Sequence, residues 1–330
     1  MAKLPETILT DISAVTSLID AHHAAKPDRP RPHLGASMLG HPCDRWLWLS
    51  FRWASREEFE GRILRLFRRG HSEEATIIAD LRAVGIDVRG TQARVDFGAH
   101  VSGSIDGVAE SGVPEAPKTP HLLEFKTHAL KSFNDLTAKG VRASKPLHYT
   151  QMQVYMHGMK LTRALYIAVC KDDDRIHAER VRYDKEHAER AIARGRAITL
   201  AERMPPPIST DPSWYQCRFC PAHAMCHKSQ PTKEVNCRTC AHSTPLEDST
   251  WQCARWSDAI PTEAQYTGCD DHVFHPDVVP WQFEGSEDGL SVTWLIGKSS
   301  LRNGVGGLKS GALLDPTVQA VAGTFEVEAG

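Results

Sequence analysis

The sequence predicts a mixed α/β fold, in which helices flank a central sheet and a small cysteine-rich module follows the sheet. Two patterns predict the α/β part: several segments have apolar residues at helical spacing, and short strand-like runs lie between them. Seven of the nine cysteines lie within residues 217–269, and the last four of these predict the module. A chain of 330 residues is long enough for one large domain and a smaller one.

The first part of the chain is predicted to be helical. Ser37 is the expected N-cap of a helix that runs through Cys43 to about Trp53. Gly70 is expected to mark a break or a close approach in a longer helix. Apolar periodicity and proline content give the other predictions: a helix over Leu4–His23, a linker over Ala25–His33 and the longer helix over Glu57–Val84.

The strands of the predicted sheet lie in the middle of the chain. A turn-rich connection, Ser111–Pro120, joins two of them, and Lys131–Lys145 is predicted to be a short helix plus a loop. A proline at the first position predicts a helix over Pro146–Met159, and the prolines at 205–207 end a helix over Lys185–Arg203. The predicted strands are Val88–Phe97, Val101–Ala109, His121–Thr127, Ala164–Cys170 and Ile176–Tyr183.

These elements divide the chain into four expected parts. Residues 1–34 form an N-terminal helix and linker, and residues 35–230 form the α/β core, closed by a cysteine cluster. Residues 231–276 form a second cysteine module. Residues 277–330 form a β-rich or irregular tail, in which 285–309 has room for one or two hairpins.

Composition limits the class of protein. The formal net charge is −2, so any contact with nucleic acid must come from a local patch. No run of about twenty apolar residues is present, so we expect no membrane span, and the N-terminal residues lack the pattern of a secretory signal. We therefore expect a cytoplasmic protein with reduced thiols. Clustered reduced cysteines are typical of metal ligands, whereas Cys170 lies in an apolar run and is predicted to be a buried strand residue.

Two carboxylates and a lysine are the candidates for chemistry. Glu124 and Lys126 are two residues apart on a predicted strand and therefore lie on the same face. Asp106 lies in the preceding predicted strand, and antiparallel pairing would bring it to Glu124 around a hard cation such as Mg²⁺ or Mn²⁺. The alternative, from this fragment alone, is a solvated hairpin with an exposed ion pair.

Four motifs in this order resemble those of a known enzyme family. Together with the cysteines around them, they are similar to the RecB-like branch of the PD-(D/E)XK nuclease superfamily, above all to its iron–sulfur members. These members include the CRISPR-adaptation exonucleases, the AddB nuclease domain and phage RecB-type exonucleases. The resemblance covers about residues 35–228 and implies a restriction-endonuclease-like core. The motifs are Glu74 four residues after Gly70, Gly103-Ser-Ile-Asp106, Glu124-Phe-Lys126, and Gln151 followed by Tyr155.

The resemblance implies a role for each motif residue. Asp106 and Glu124 would hold the catalytic Mg²⁺ or Mn²⁺, joined by the backbone carbonyl of Phe125. Glu74 would add a carboxylate from its helix. Lys126 would orient or help deprotonate the attacking water and stabilise charge in the transition state.

Gln151 and Tyr155 are four residues apart and share one helix face. By the same resemblance they would line the cleft against DNA or support the lysine; ordinary surface and core positions are the alternative. Two departures from the family pattern leave the number of metals open. Ile105 stands where the superfamily's name has a proline, and Glu74, with His71 nearby, stands where some relatives have a histidine.

Two groups of basic residues are candidates for contacts with DNA phosphates. The first lies on the helix that carries Glu74, and the second lies ahead of the helix that carries Gln151. A solvated helix face is the alternative for the first group. The groups are Arg62, Arg65, Arg68 and Arg69, and Lys139, Arg142 and Lys145.

One set of cysteines, the first quartet, spans the predicted core. Cys217, Cys220 and Cys226 lie close together in sequence, and the distant Cys43 completes a four-thiolate site. Thiolates suit zinc or an iron–sulfur cluster, and the family resemblance favours a [4Fe-4S] cluster. If the metal is zinc, nearby histidines are alternative ligands: His41, His223 and His227.

The second quartet lies outside the resemblance. A CxxC pair followed by two spaced cysteines is typical of a small zinc module, whose core is too slight to fold without Zn²⁺. His242 and His272 are alternative ligands, and Trp251 and Trp256 are expected to pack against the site. The predicted ligands are Cys237, Cys240, Cys253 and Cys269.

Three hypotheses for the function follow. The first is a metal-dependent DNA exonuclease that acts on DNA ends or single strands in recombination, repair or DNA processing. The second is a catalytically idle DNA-binding or assembly protein, and the third is a redox-sensing regulator that uses the cluster. The intact set of Asp106, Glu124 and Lys126 favours the first, because an idle protein has no chemical need for all three. Recombination or replication proteins are left open as partners, and so is the oligomeric state.

Overall fold

The computed structural model describes residues 6–25, 29–286 and 289–323, with side chains over 14–25, 29–286 and 289–319. The chain divides into two compact units. The first unit comprises Met1–Pro30, Glu57–Val95 and Ser104–Ala188, and the second unit comprises Arg31–Arg56, Asp96–Gly103 and Glu189–Gly330.

The described α-helices and β-strands occur in groups along the chain. The helices are α1 (Glu6–Ala24), α2 (Asp44–Phe51), α3 (Gly61–Ala83), α4 (Leu130–Ser144), α5 (Pro146–Met159), α6 (Lys185–Leu200), α7 (Tyr215–Arg218), α8 (His223–His227), α9 (Thr262–Gln265), α10 (Ser310–Leu313) and α11 (Pro316–Gly323). The strands are β1 (Leu34–Gly35), β2 (Val88–Arg89), β3 (Arg94–Asp96), β4 (Val101–Ser104), β5 (Gly107–Ala109), β6 (His121–His128), β7 (Arg163–Cys170), β8 (Ile176–Arg182), β9 (Ser243–Pro245), β10 (Trp251–Cys253), β11 (Asp258–Ala259), β12 (Gln282–Gly285), β13 (Ser291–Ile296) and β14 (Ser299–Gly304).

The first unit contains the predicted mixed sheet. Its strand order is β2-β5-β6-β7-β8. The central pair β6–β7 is parallel, in the register Glu124↔Tyr166, and the other neighbours are antiparallel. A parallel pair needs a long crossover connection, and α4 and α5 supply it between β6 and β7. The fold class predicted from the sequence is therefore confirmed.

Helices cover both faces of this sheet. On one face, Ile77 of α3 packs with Leu123 and Phe125 of β6 and with Leu165 and Ile167 of β7. The alternate residues of β6 point to the opposite face, where α4 and α5 pack. In α5, all eight residues from Tyr149 to Met156 are buried, so this helix lies in the interior of the unit.

The α2 region differs from its prediction. Ser37 is not an N-cap: it lies in a 3₁₀ turn, Ala36–Met38, and α2 begins only at Asp44. The N-cap is Cys43, whose sulfur accepts a hydrogen bond from the N–H of Trp46 at 3.5 Å. Because serine is the commoner capping residue, the pattern favoured the wrong position.

Two glycines also differ from expectation. Gly70 causes neither a break nor a close approach, since it lies inside α3 and a Cβ there would meet nothing within 4 Å. A break occurs in a different helix: Gly140, with φ 73°, interrupts α4. Glu179 accepts a hydrogen bond from the N–H of Val141 at 2.9 Å, immediately after this break. Lys131–Lys145 is thus one interrupted helix rather than a helix plus a loop.

Two predicted strands are each divided. Val88–Phe97 becomes β2 and β3, separated by a turn in which Gln92 has φ 58°. Val101–Ala109 becomes β4 and β5, and Asp106 stands in the gap between them. The strands β6, β7 and β8 and the helix α5 are confirmed within one residue of the predicted bounds.

The second unit contains three small sheets and an aromatic core. Leu34 of β1 pairs with Val101 of β4, β9–β10–β11 is an antiparallel sheet, and β12–β13–β14 is a second one that confirms the predicted hairpins. Residues 324–330 of the predicted tail lie outside the described residues. None of the described helices combines the length and the apolar character that a membrane crossing requires. The largest fully buried side chains of this unit include Trp48, Trp53, Trp251 and Trp294.

Candidate active site

The strand β6 presents Glu124 and Lys126 on its α5 face, as the period of two requires. Glu124 is fully buried, with 0% exposure, whereas the Lys126 side chain retains 28% exposure. The ammonium of Lys126 donates to Oε1 of Glu124 and, at 3.2 Å, to the carbonyl oxygen of Phe125. The predicted pair therefore exists as a direct contact, and it is not the exposed ion pair of the alternative interpretation.

Asp106 meets the same strand from the gap before β5. The β5–β6 ladder begins with the pair Gly107↔Leu123. Past that point, Oδ2 of Asp106 takes the place of a main-chain acceptor and receives the N–H of Phe125 at 2.8 Å. The position of Asp106 just before β5 thus places its carboxylate next to Phe125, the residue between Glu124 and Lys126.

The helix α5 contributes Gln151 to the site. Its Nε2 donates to Oε2 of Glu124 at 3.0 Å, and the side chain is buried. Tyr155, one turn further along the helix, is only 2% exposed and lies in the interior of the first unit. Gln151 therefore supports a carboxylate directly, whereas the proposed role of Tyr155 in lining a cleft stays a prediction.

Glu74 approaches the site from α3. Its Oε1 accepts a hydrogen bond from Nε2 of Gln92 at 2.8 Å. Burial raises the pKa of Glu74, and the carboxylate of Asp106 acts in the same direction, which indicates that the two groups are close. No pattern pointed to Gln92, because it lies in the turn that divides a predicted strand.

Burial controls the charges of the site. Burial raises the pKa of Glu124 to about 7, with Lys126 acting against the rise and Asp106 with it. Burial also raises the pKa of Asp106. Burial alone would lower the pKa of Lys126, but Glu124 and Asp106 outweigh it and the pKa is raised. The lysine is therefore a cation at neutral pH, among carboxylates that hold protons more tightly than usual.

A second buried polar cluster adjoins these residues. The hydroxyl of Tyr166 lies 2.9 Å from Nε2 of His128 and 2.8 Å from Nδ1 of His148. Burial lowers the pKa of His128 to about 4 and that of His148 to about 3, and Lys126 contributes to both. His128 shares the strand face of Glu124 and Lys126, so the period of two could have pointed to it.

Most of the arginines and lysines expected to contact DNA phosphates already bond to other residues of the protein. On α3, Arg65 pairs with Asp20 and Arg69 donates to the carbonyl oxygen of Lys171 at 3.0 Å, whereas Arg62 is exposed. A contact with DNA would have to compete with these bonds, and it stays a prediction. The second group pairs with carboxylates: Lys139 and Lys145 with Asp135, and Arg142 with Asp184.

In the second unit, the four cysteines of the first quartet line one cavity. Cys43 caps α2, Cys217 and Cys226 lie in α7 and α8, and Cys220 lies between these helices. Histidines also line the cavity, but Nδ1 of His41 is engaged, because it accepts a hydrogen bond from the N–H of Cys43 at 3.2 Å. The arrangement brings together the residues that the sequence predicted.

The second quartet lines another cavity in the same unit, with a volume of about 320 Å³. Trp251 is buried, and Trp256 is 58% exposed but lines the cavity. Within the described parts of the chain, no three His, Cys, Asp or Glu side chains already form a group that could hold a metal ion. The two quartets are thus gathered around cavities as thiols, without a completed coordination geometry.

A mixed sheet with helices on both faces, and with acidic side chains and a lysine at one end of β5, defines a restriction-endonuclease-like α/β core. The chain matches the PD-(D/E)XK nuclease superfamily over residues 12–227, about two thirds of its length. It belongs to that superfamily, so it is a nuclease by family, with a nucleic acid as the expected substrate.

The solved structures that match this chain have low sequence identity to it. The protein SSO0001 is 12% identical, with a TM-score of 0.39, over 66% of this chain and 96% of that chain. LHK-Exo, an alkaline exonuclease from Laribacter hongkongensis, is 15% identical, with a TM-score of 0.37, over 55% of this chain and 90% of that chain. Its complex with dAMP is 16% identical, with a TM-score of 0.37, over 56% and 90%. No curated protein matches the chain significantly. The family match therefore carries the assignment.

Proposed function

We propose that the protein is a divalent-metal-dependent deoxyribonuclease of the RecB-like branch, which hydrolyses phosphodiester bonds at DNA ends or in single strands during recombination, repair or DNA processing. The observation that carries the proposal is the connected set of Asp106, Glu124, Lys126 and Gln151 around one strand. Membership in the nuclease superfamily supports it. The iron–sulfur type and the exonuclease mode are part of the same proposal.

The donor set suits Mg²⁺ or Mn²⁺. Carboxylate and carbonyl oxygens are the ligands that such hard cations prefer. Glu124 and Asp106 use their oxygens for internal hydrogen bonds, but each oxygen has a second lone pair that is available to a metal ion. We expect the ion to be held by Asp106, Glu124 and the carbonyl oxygen of Phe125, with Glu74 as a further carboxylate. When bound, the cation would stabilise negative charge on the phosphate and strengthen water as a nucleophile.

The protein's own residues would orient this reaction. Gln151 holds one oxygen of Glu124, so the direction of the carboxylate is set by α5 as well as by β6. Lys126 is a cation because of its raised pKa, so it is suited to orienting water and stabilising charge on the phosphate rather than to removing a proton. Burial of Glu124 excludes bulk water from one side of the site and strengthens these electrostatic effects.

End-labelled linear DNA, single- and double-stranded, incubated with Mg²⁺ or Mn²⁺ tests the proposal. We expect the wild type to release labelled nucleotides and Lys126→Ala to be at least about 100-fold slower, the loss typical of an electrostatic catalytic group. Lys118→Ala, an exposed lysine in the turn between β5 and β6, is the matched control and should be unchanged. Equal cleavage by wild type and K126A, or no cleavage by either, would remove the nuclease proposal. Equal cleavage of covalently closed circles would remove the exonuclease part.

For the first quartet we propose a structural [4Fe-4S] cluster. Four thiols that line one cavity, beside the apolar side chains of Trp46 and Ile208, are a donor set that fits such a cluster. Its chemistry in this position would be cross-linking: it would hold α2 to α7 and α8. Iron and acid-labile sulfide should be present in anaerobically purified protein and absent from Cys226→Ser, but retained in Cys170→Ser, whose thiol lies in β7. Zinc in place of iron, or equal iron in both variants, would contradict the proposal.

A further inference from the structure

The second quartet lies beyond the residues that match the nuclease family. We propose that it binds one zinc ion, and that two buried arginines, Arg52 and Arg238, neutralise the negative charge of the resulting four-thiolate centre. The proposal does not depend on nuclease activity. Three observations carry it: the way the four cysteines are presented, an unpartnered histidine nitrogen at the same cavity, and two buried cations whose hydrogen-bond partners are neutral.

The CxxC turn presents its two cysteines in a fixed conformation. Asn236 caps the turn: its Oδ1 accepts the N–H groups of Arg238 at 2.9 Å and of Thr239 at 3.2 Å. The hydroxyl of Thr239 accepts the N–H of Asn236 at 3.2 Å in return. This reciprocal capping holds Cys237 and Cys240 at the ends of one short turn, and both line the cavity.

The other two cysteines come from separate segments. Cys253 is the last residue of β10 and pairs with Ser243 of β9 and Asp258 of β11. Cys269 lies in a turn that the N–H of His272 closes by donating to its carbonyl oxygen at 3.1 Å. Three separate segments therefore converge on one cavity, which is the arrangement of a structural zinc site.

The thiol of Cys237 contacts two main-chain carbonyl oxygens while it is protonated. The sulfur of Cys237 lies 3.4 Å from the carbonyl oxygen of Ala264 and 3.3 Å from that of Thr267. Loss of the thiol proton on zinc binding removes the donor in these bonds.

The histidines at the cavity differ in their availability. His272 is 2% exposed and fully engaged: Nδ1 lies 2.7 Å from the hydroxyl of Ser310 and Nε2 lies 3.1 Å from the carbonyl oxygen of Asn236. Nε2 of His242 is buried and has no hydrogen-bond partner among the described residues, although the residue lines the cavity. A buried donor without an acceptor is costly, and a thiolate sulfur in the cavity would supply the acceptor.

The two arginines supply the charge argument. Arg238 is 1% exposed, and its guanidinium donates to Oε1 of Gln265 at 2.8 and 3.0 Å and to the carbonyl oxygens of Phe51 and Pro32 at 2.9 and 2.8 Å. All of these acceptors are neutral. Arg52 is 2% exposed, donates through Nη1 to the carbonyl oxygen of Arg238 at 3.2 Å, and leaves Nε without a partner among the described residues.

Buried cations require a compensating negative charge. A zinc ion with four thiolates carries a net charge of −2, which two guanidinium groups balance. Arg238 stands between Cys237 and Cys240 in sequence, and Arg52 is bonded to the backbone of Arg238. The carboxylate of Asp277 also attracts Arg52, but it is already paired with Arg203, so the zinc centre would supply the charge that the two arginines lack.

Metal analysis of the purified full-length chain tests the zinc site. We expect Cys253→Ser and Cys269→Ser each to lose one equivalent of zinc relative to the wild type, and Cys170→Ser to lose none. If the serine variants do not fold, the wild type reconstituted with cobalt(II) should show the spectrum of a tetrahedral four-thiolate ion. Wild type and C253S with equal zinc, or loss of iron and sulfide instead of zinc, would overturn the site. Loss of zinc in His242→Ala with retention in C269S would overturn the four-thiolate ligand set.

Zinc transfer to the chromogenic chelator pyridylazoresorcinol tests the role of the arginines. Arg52→Met keeps the apolar stem of the side chain and removes its charge, so we expect zinc release to be at least about 10-fold faster. Arg52→Lys should restore slow release, and Arg196→Met, an exposed arginine of the same unit, is the control that should match the wild type. Equal release rates in R52M and R196M would overturn the charge-neutralising role while leaving the zinc site itself to the metal analysis.

Discussion

Nε2 of Gln151 donates to Oε2 of Glu124 over 3.0 Å, and this contact fixes one oxygen of a fully buried carboxylate. The other oxygen accepts from Lys126 of the same strand. A helix and a strand therefore define the orientation of Glu124 together. Since both donors also stabilise the ionised form of the carboxylate, the contact links the direction of Glu124 to its charge.

Gln151→Leu removes the hydrogen bond by which α5 orients Glu124. A hydrogen bond to a charged group contributes about 1.5–3 kcal/mol, so we expect kcat to fall about 10- to 100-fold if that bond is retained in the transition state. We also expect the Mg²⁺ concentration at half-maximal rate to rise, because Glu124 would no longer be oriented toward the metal. Initial rates of DNA hydrolysis across a Mg²⁺ titration measure both effects.

Gln153→Leu is the matched control, two residues along α5. Gln153 is also buried, but its side chain bonds to the main chain of Arg182 and Asp184 rather than to Glu124. We expect Q153L to lower the melting temperature and to leave the Mg²⁺ dependence unchanged. The same shift in Mg²⁺ dependence for both variants would show that Gln151 acts only through the packing of the helix.

The raised pKa of Glu124 makes stability depend on pH when no divalent ion is added. The folded-state pKa is about 7 and the ordinary value is 4.5, so the folded protein holds this proton more tightly. The resulting stabilisation is fully present below pH 4.5 and is lost as pH rises through 7; it amounts to about 3 kcal/mol at most. Relative to Glu124→Gln, the wild type should therefore lose stability from pH 5 to 8 in denaturant titrations. A constant difference in the free energy of unfolding between wild type and E124Q across this range would contradict the buried carboxyl.

Gly140 and Gly70 differ in backbone conformation and in free space, so replacing each with alanine should have opposite effects on stability. Gly140 has φ 73°, and a Cβ there would lie 3.2 Å from Oε1 of Glu179, so Gly140→Ala should destabilise the protein by about 1–2 kcal/mol. Gly70 has helical geometry and free space, so Gly70→Ala should stabilise it by about 0.5–1 kcal/mol. Thermal unfolding measures both, and a gain in G140A would show that the interruption of α4 is not required.

Tyr166→Phe tests the buried cluster beside the site. It removes a single hydroxyl and leaves Nε2 of His128 and Nδ1 of His148 without that partner, which should cost about 1–3 kcal/mol. Tyr149→Phe is the comparison, since the Tyr149 hydroxyl has no protein hydrogen-bond partner among the described residues, and it should change stability by less than about 0.5 kcal/mol. Equal effects on the free energy of unfolding would mean that the hydroxyl of Tyr166 does not hold the two imidazoles.

The elements that carry strong local patterns were predictable. β7 and α5 match their predictions because an apolar run and an initial proline mark them, and the period of two placed Glu124 beside Lys126 of β6 correctly. The divided strands were not predictable, because each interruption depends on tertiary contacts. Asp106 ends the ladder by taking the N–H of Phe125, a bond between residues nineteen apart in sequence.

The supporting residues were harder to predict than the candidate ligands. Gln92 reaches Glu74 from a turn whose backbone has φ 58°, and no periodicity describes such a position. Cys43 was expected as a ligand but not as the cap of α2, because a sulfur is a weak acceptor and the nearby Ser37 matched the usual pattern. Sequence reasoning thus found chemically distinctive side chains and missed the contacts that orient them.

The eight consecutive buried residues of α5, Tyr149 to Met156, have a consequence for how the site behaves in time. A helix with no exposed stretch at its centre can lose its amide protons to solvent only when much of the first unit opens. Its amides should be among the slowest to exchange in deuterium labelling. The helix that orients Glu124 therefore belongs to the part of the fold that opens most rarely. The carboxylate is thus already oriented before a nucleic acid binds.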